Sequence, residues 1–408
     1  MSGPREGGGA GAGARAGAVP DAGAGLGAVP EAGAALPPPP GTPLELFLAL
    51  SAIPSPSGAE GALAGAIERW LGECGLACVR DGAAALTGSD TGNLIVRRPG
   101  RPGSPTVLFV AHLDTVQEPG EQIVPVLDGD GVIHSAGPTI LGADNQAAVA
   151  ALLSLLARPR PEHANLIAVF STCEERGRMG VTALDPLAAE VDLAFPVDGS
   201  SPVGTVLESA LGQVPFRVLV GGRRAHAAKD PAAGRHAVQA ACEIVAGLEL
   251  GWVGESVLNI SAVHGGSASN IVPDRAELVG EARAFTASAL AARIEQVRAV
   301  ATAVGARREV SVEVIEMIEE GAPPFPPGGA EVNLALVTAA ADRLGLSVVR
   351  ESCSATLEAN FLAGMGLATL GIASGGRNPH SVQESLPAVE LEHLTALLDG
   401  VLAAAGEL

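Results

Sequence analysis

From residue 93 to about 208, short apolar runs alternate with stretches whose apolar residues recur at helical spacing. The runs are NLIV from 93, TVLFVA from 106, NLIAVF from 165 and DLAFPV from 192, and the helix NQAAVAALLSLLA starts at 145. Near-continuous apolar strands need both faces of their sheet covered. The alternation therefore predicts an α/β fold, a mostly parallel sheet with helices on both faces. Open sheets of this kind hold ligands beyond the carboxyl ends of their strands, so the residues just past each run matter most. TVLFVA is followed by His112, Leu113 and Asp114, and TILGA by Asp144 at a helix start. NLIAVFSTC ends in Glu174 and Glu175, DLAFPV in Asp198, and ATLGIASGGRNP leads to His380. Two histidines and several carboxylates, with no cysteine required, are the donor set of zinc or a similar divalent ion.

Each residue has an ordinary explanation when taken alone. His112 can be a hydrogen-bonded core histidine, Asp144 a helix N-cap, Asp198 with Gly199 a turn, and the glutamate pair a solvated strand end. Five such accidents at one sheet edge are a poor account. His134, His163 and His393 have no comparable placement and read as surface histidines.

After residue 208 the pattern changes. VPFRVLVGG, SVLNISAVHGG, RAELVGEARAF and EVSVEVIEM read as about four strands, with helices over roughly 234–248 and 287–304. GAPPFPPGG then marks a linker, the α/β pattern returns, and a last helix begins near 388. These signals place an α+β domain at 209–322, inserted in a discontinuous domain of residues 42–208 and 323–408. The repeat GAVPDAGAGL/GAVPEAGAAL lies within a Gly/Ala/Pro-rich stretch over 1–41, which has too few large side chains to offset ordering and reads as a disordered tail. Folded sequence is expected from Thr42, a helix cap followed by proline.

A formal charge of −20, from 45 acidic and 25 basic residues, argues against nucleic acid or an anionic membrane as partner. No apolar run approaches the roughly 18 residues of a membrane span. The five cysteines are odd in number and scattered, which indicates neither a disulfide framework nor a zinc ribbon. Together with the absence of an apolar leader core, this predicts a cytoplasmic protein.

HLDTV, GADNQAAVAALL, CEERGRMG, PVDGSSPVG, GGRRAHAAKDPAAGRHA, GGSASNIVPDRAELVGEAR and NPHSVQE occur in that order. Together they resemble the dizinc metallopeptidases related to peptidase T, carboxypeptidase G, acetylornithine deacetylase and succinyl-diaminopimelate desuccinylase. The resemblance spans residues 42–405, with peptidase T-like proteins the nearest branch. It implies two divalent metal ions per subunit, zinc first, with cobalt or manganese as alternatives. His112 and Asp198 would hold one ion, Glu175 and His380 the other, and Asp144 both. The Asp114 carboxylate would orient His112 through its second ring nitrogen. Glu174 would be the general base, passing the proton of a metal-activated water to the leaving amine. The Asp144–Asn145 peptide bond would be cis.

The inserted domain would be a lid and homodimerisation domain. His226 would reach a partner's active site to polarise the substrate carbonyl, and Asn270 and Arg283 would hold a substrate carboxylate. Two departures bear on specificity. TLEAN, at Thr356 to Asn360, stands where relatives carry Ser-Asp-Ala-Asn, and position 145 is Asn rather than Asp or Lys. Gly375 and Gly376 either let substrate approach the backbone or form a plain turn. The resemblance implies amide hydrolysis in short peptides, and favours an aminopeptidase because in that family an aspartate at the position of Asp198 accompanies aminopeptidase and dipeptidase activity. The alternatives are a deacylase or carboxypeptidase acting on acyl-amino acids, and a silent metal- or peptide-binding relative.

Overall fold

A computed structural model describes residues 35–158, 160–177 and 180–408. Most of the expected tail thus lies outside the described residues. Its end is packed, which corrects the expected start at Thr42. Leu36 lies against the main core, and the Pro37 carbonyl accepts a 2.7 Å hydrogen bond from the indole N–H of Trp70, a nearly buried ring whose donor needs a partner. The first helix, Pro43–Ser51, starts as its sequence predicts. Thr42 Oγ1 accepts from the Glu45 N–H at 3.2 Å, and the Glu45 carboxylate accepts from the Thr42 N–H at 2.9 Å.

The central sheet has five strands in the order Cys78–Arg80, Leu94–Arg98, Asn165–Ser171, Thr106–His112 and Leu193–Pro196. The last three are mutually parallel, whereas Leu94–Arg98 runs antiparallel to both neighbours. The sheet is mixed, with four of its five strands pointing the same way, and its parallel part is the part that carries the site. Alternation along Thr106–His112 shows how both faces are covered. Val107, Phe109 and Ala111 join the large core with helices Pro43–Ser51, Ala143–Leu156 and Ala388–Gly406, while Leu108 and Val110 face Val181, Leu184, Leu187 and Leu362. A second sheet, of Val349–Cys353, Thr205–Ala210 and Gly371–Ile372, continues from the first through bridges Ala194–Thr369 and Val197–Ile372.

The insert forms its own antiparallel five-stranded sheet and core. Strand Gly212–Gly221 lies between Arg275–Ala284 and Ser311–Glu316, and helices Ala237–Gly247 and Ala287–Arg308 cover one face. The fifth strand, Gly251–Val253, was not expected from the sequence, because three exposed residues carry no readable alternation. Entry and exit are joined by bridges Ala210–Phe325 and Gln213–Ala322, so the insert leaves the larger domain through a paired neck. Among the described residues no helix is long and apolar enough to cross a membrane.

Candidate metal centre

Three adjacent parallel strands end at the same edge, and that coincidence assembles the site. His112 is the last residue of its strand, Glu174 and Glu175 lie just past Ser171, and Asp198 lies just past Pro196. Asp144 enters from the start of helix Ala143–Leu156, which packs on the His112 strand, and His380 from the loop before Ser385–Pro387. The Asp144–Asn145 peptide bond is cis, as the resemblance implies.

His112 Nε2 lies 3.1 Å from one oxygen of Asp144, and His380 Nε2 lies 3.4 Å from the other and 2.8 Å from Glu175 Oε1. Ligand atoms of His112, Asp144 and Asp198 fall within 4.8 Å of one another, as do those of Asp144, Glu175 and His380. These are two candidate metal sites sharing Asp144. His112 is buried, Glu174 and Asp198 nearly so, and His380 half exposed.

The electrostatics of the cluster are those of a site that a cation can occupy. Burial opposes protonation of His112, yet its hydrogen bond to Asp144 and the surrounding carboxylates raise its pKa well above the ordinary range. Hydrogen bonds to Asp144 and Glu175 raise His380 to about 10. Burial, then the charge of Asp144, raises Asp198 to about 7. Burial pushes Asp144 up as well, but its bonds from His112 and His380 hold it well below the usual carboxylate range. Five carboxylates and two histidines, with no arginine or lysine among the described lining residues, fit a pair of divalent ions.

Asp114 takes a different place from the one expected. The acceptor for His112 Nδ1 is the Asp114 backbone carbonyl, at 2.9 Å, while the carboxylate lies 3.7 Å away. That carboxylate is occupied elsewhere. One oxygen accepts the Glu174 N–H and the other the Glu175 N–H, both at 3.0 Å, and Ser57 Oγ donates to the second at 2.5 Å. One residue thus orients the histidine through its main chain and the glutamate pair through its side chain.

Glu384, in NPHSVQE, has a role that its sequence position does not reveal. Buried, it accepts the N–H groups of Leu141 and Gly142 at 2.7 and 2.8 Å on one oxygen and that of Asp144 at 3.0 Å on the other. It therefore fixes the turn that presents Asp144. Burial raises its pKa despite these three donors. Gly142 adopts φ +72 within that turn, a conformation that favours glycine.

His226, Asn270 and Arg283 do not line the cleft of their own chain. His226 is exposed on the insert, where its Nδ1 accepts from the Ala228 and Lys229 N–H groups at 3.2 and 3.1 Å. The Asn270 carbonyl accepts from the adjoining Ala227 N–H, and Arg283 pairs with Glu281. Gly375 has φ +87 and lies against Glu390, where an added Cβ would fall 2.6 Å from the Glu390 Cβ, so the turn explanation suffices. His163 is buried rather than exposed, lying 3.7 Å from Asp399. Thr356 and Leu357 of TLEAN line the cleft, and Glu358 is buried where its charge helps to raise Asp198. The departure therefore does border the substrate space, a cleft of about 360 Å³.

Residues 211–309 match the model of the peptidase dimerisation domain of M20 proteins. An uncharacterised protein of Bacillus subtilis, YqjE, is 29% identical over 85% of this chain and 94% of its own length. The aminopeptidase PepT from Bacillus cereus is 26% identical, with a TM-score of 0.81 over 89% of this chain and 98% of that one. A tripeptidase from Staphylococcus aureus is also 26% identical, with a TM-score of 0.80 over 90% and 98%.

Proposed function

Because the chain belongs to the M20 family of dizinc metallopeptidases, hydrolysing amide bonds with the help of bound metal, we propose that it is an aminopeptidase for short peptides. The observation that supports this specificity is the sign of the cleft wall. Glu351 lines it, accepting a 2.9 Å bond from Ser201 Oγ, and no arginine or lysine is found among the described lining residues. Such a wall suits a substrate's free ammonium and disfavours a carboxylate in the same position. The similar aminopeptidase and tripeptidase support the reading.

His112 and Asp198 would hold one ion, Glu175 and His380 the other, and Asp144 both. The bound ions supply Lewis acidity, polarising the scissile carbonyl and acidifying water. Glu174, held next to Glu175 at the strand end, takes the proton of the attacking water and delivers it to the departing amine. Two copies of the chain join through the insert. His226 serves the site of the second copy; its Nδ1 accepts two backbone N–H groups, which leaves Nε2–H as the donor to a developing oxyanion. The thiols of Cys74, Cys78, Cys173 and Cys242, none of them in a disulfide, support action in the cytoplasm.

The test sets tripeptides against their N-acetylated forms and N-acylglutamates, with zinc, cobalt or manganese added. Tripeptides with a free amine should be cleaved fastest, and Glu351→Gln should raise KM for them about tenfold while leaving N-acetylated peptides unaffected. Faster cleavage of the acylated substrates would establish a deacylase instead.

A further inference from the structure

The ladder of strand Asn165–Ser171 ends opposite His112, yet the chain must continue inside the protein to place the glutamate pair. The next four backbone N–H groups all point to side-chain oxygens. Thr172 donates to Asn93 Oδ1, Cys173 to Glu60 Oε1, Glu174 to Asp114 Oδ1 and Glu175 to Asp114 Oδ2, each at 3.0 Å. The three acceptor residues are fully buried. Glu60 also accepts from the Gly58 N–H at 2.9 Å and from Ser89 Oγ. The Asn93 amide is fixed by donating to Asp81 at 2.7 Å and to the Gly180 carbonyl at 2.8 Å.

Within this run Cys173 adopts φ +55. A left-handed conformation is disfavoured for a non-glycine residue, so it persists only where surrounding contacts impose it. It also re-aims the next residue, Glu174. We propose that Glu60 and Asn93 are positioning residues for catalysis: they hold Cys173 and Thr172 so that the left-handed turn presents Glu174 to the reacting water and Glu175 to the metal. Asp114 completes the set from the other side. The inference rests on the assignment of Glu174 as general base. Neither Glu60 nor Asn93 belongs to the cleft, and both act through the main chain of the residues they hold.

The experiment compares Glu60→Ala, Glu60→Gln and Asn93→Ala as metal-loaded full-length enzymes, recording kcat, KM, metal content and Tm. Glu60→Ala should lower kcat per metal-loaded chain about tenfold or more with KM nearly unchanged, because a small misplacement of a catalytic group costs rate rather than binding. Glu60→Gln keeps a carbonyl oxygen for the Cys173 N–H and should return kcat to within about threefold of wild type. Asn93→Ala should fall in the same direction, and it decides the matter if Glu60→Ala does not fold. A purely structural role would lower Tm and leave kcat per metal-loaded chain intact, which would overturn the proposal. So would a glutamine variant as slow as the alanine one. Glu174→Gln is measured alongside. Near-normal hydrolysis in that variant would remove the base assignment itself, whereas its inactivity beside a normal Glu60→Ala would remove only the positioning role.

Discussion

Glu384→Ala removes the only acceptor found among the described residues for three N–H groups of one turn, those of Leu141, Gly142 and Asp144. A buried donor left without a partner costs about 1–3 kcal/mol, and the alanine leaves room for water to satisfy one of the three. The expected loss is therefore about 4 kcal/mol, or roughly 8–16 °C in Tm at the scaling of domains of this size. Asp144 belongs to both candidate metal sites, so the loss is not confined to stability. Releasing its N–H lets the turn shift, and both ions should bind more weakly. Glu384→Gln separates the contributions: its single carbonyl oxygen can serve either the Leu141 and Gly142 pair or Asp144, and its amide opposes the remaining donor. About half the stability loss should remain. The assay is thermal unfolding of metal-free and metal-loaded protein, with metal content measured after dialysis. A Glu384→Ala variant melting within about 2 °C of wild type and retaining two ions per chain would refute the reasoning.

Metal binding should release protons. In the metal-free protein His112 is raised well above its ordinary range and His380 to about 10, so both are protonated near neutrality, whereas metal needs neutral imidazole. Affinity for each ion should therefore rise about tenfold per pH unit between pH 6 and 8, and calorimetry in buffers of different ionisation enthalpy should show about two protons leaving above pH 7, joined by that of Asp198 below it. In the absence of metal the sign reverses: these raised histidines contribute stability that is full below the unfolded value of 6.5 and is lost as pH rises towards 10. Subunit sharing predicts complementation. His226→Ala and Glu174→Gln homodimers should both be slow, but mixing and re-equilibrating them should recover about a quarter of wild-type activity, from one intact site in each mixed dimer. No recovery, with mixed dimers shown by mass, would place His226 in the service of its own chain.

The residues to which we assign the chemistry were legible because parallel topology turns sequence position into spatial position. His112, Glu174, Glu175 and Asp198 each come just after an apolar run, and three neighbouring parallel strands deliver them to one edge. The residues that hold them were not legible, for a related reason. Glu60 meets Cys173 across 113 positions, Asn93 meets Thr172 across 79, and Glu384 meets Leu141 across 243. None sits after a strand in a way that marks it, and a buried glutamate looks in sequence like any surface glutamate. Asp114 shows the limit most narrowly: the resemblance identified the residue but implied its carboxylate, and it is the carbonyl that meets His112. The mixed sheet has the same origin, since apolar runs reveal strands without giving the direction of the edge pair. Where a sheet edge ends, strand periodicity stops constraining the backbone. The adjacent glutamates therefore depend on side chains from distant segments to fix their directions, and the least readable residues carry the geometry on which the readable ones rely.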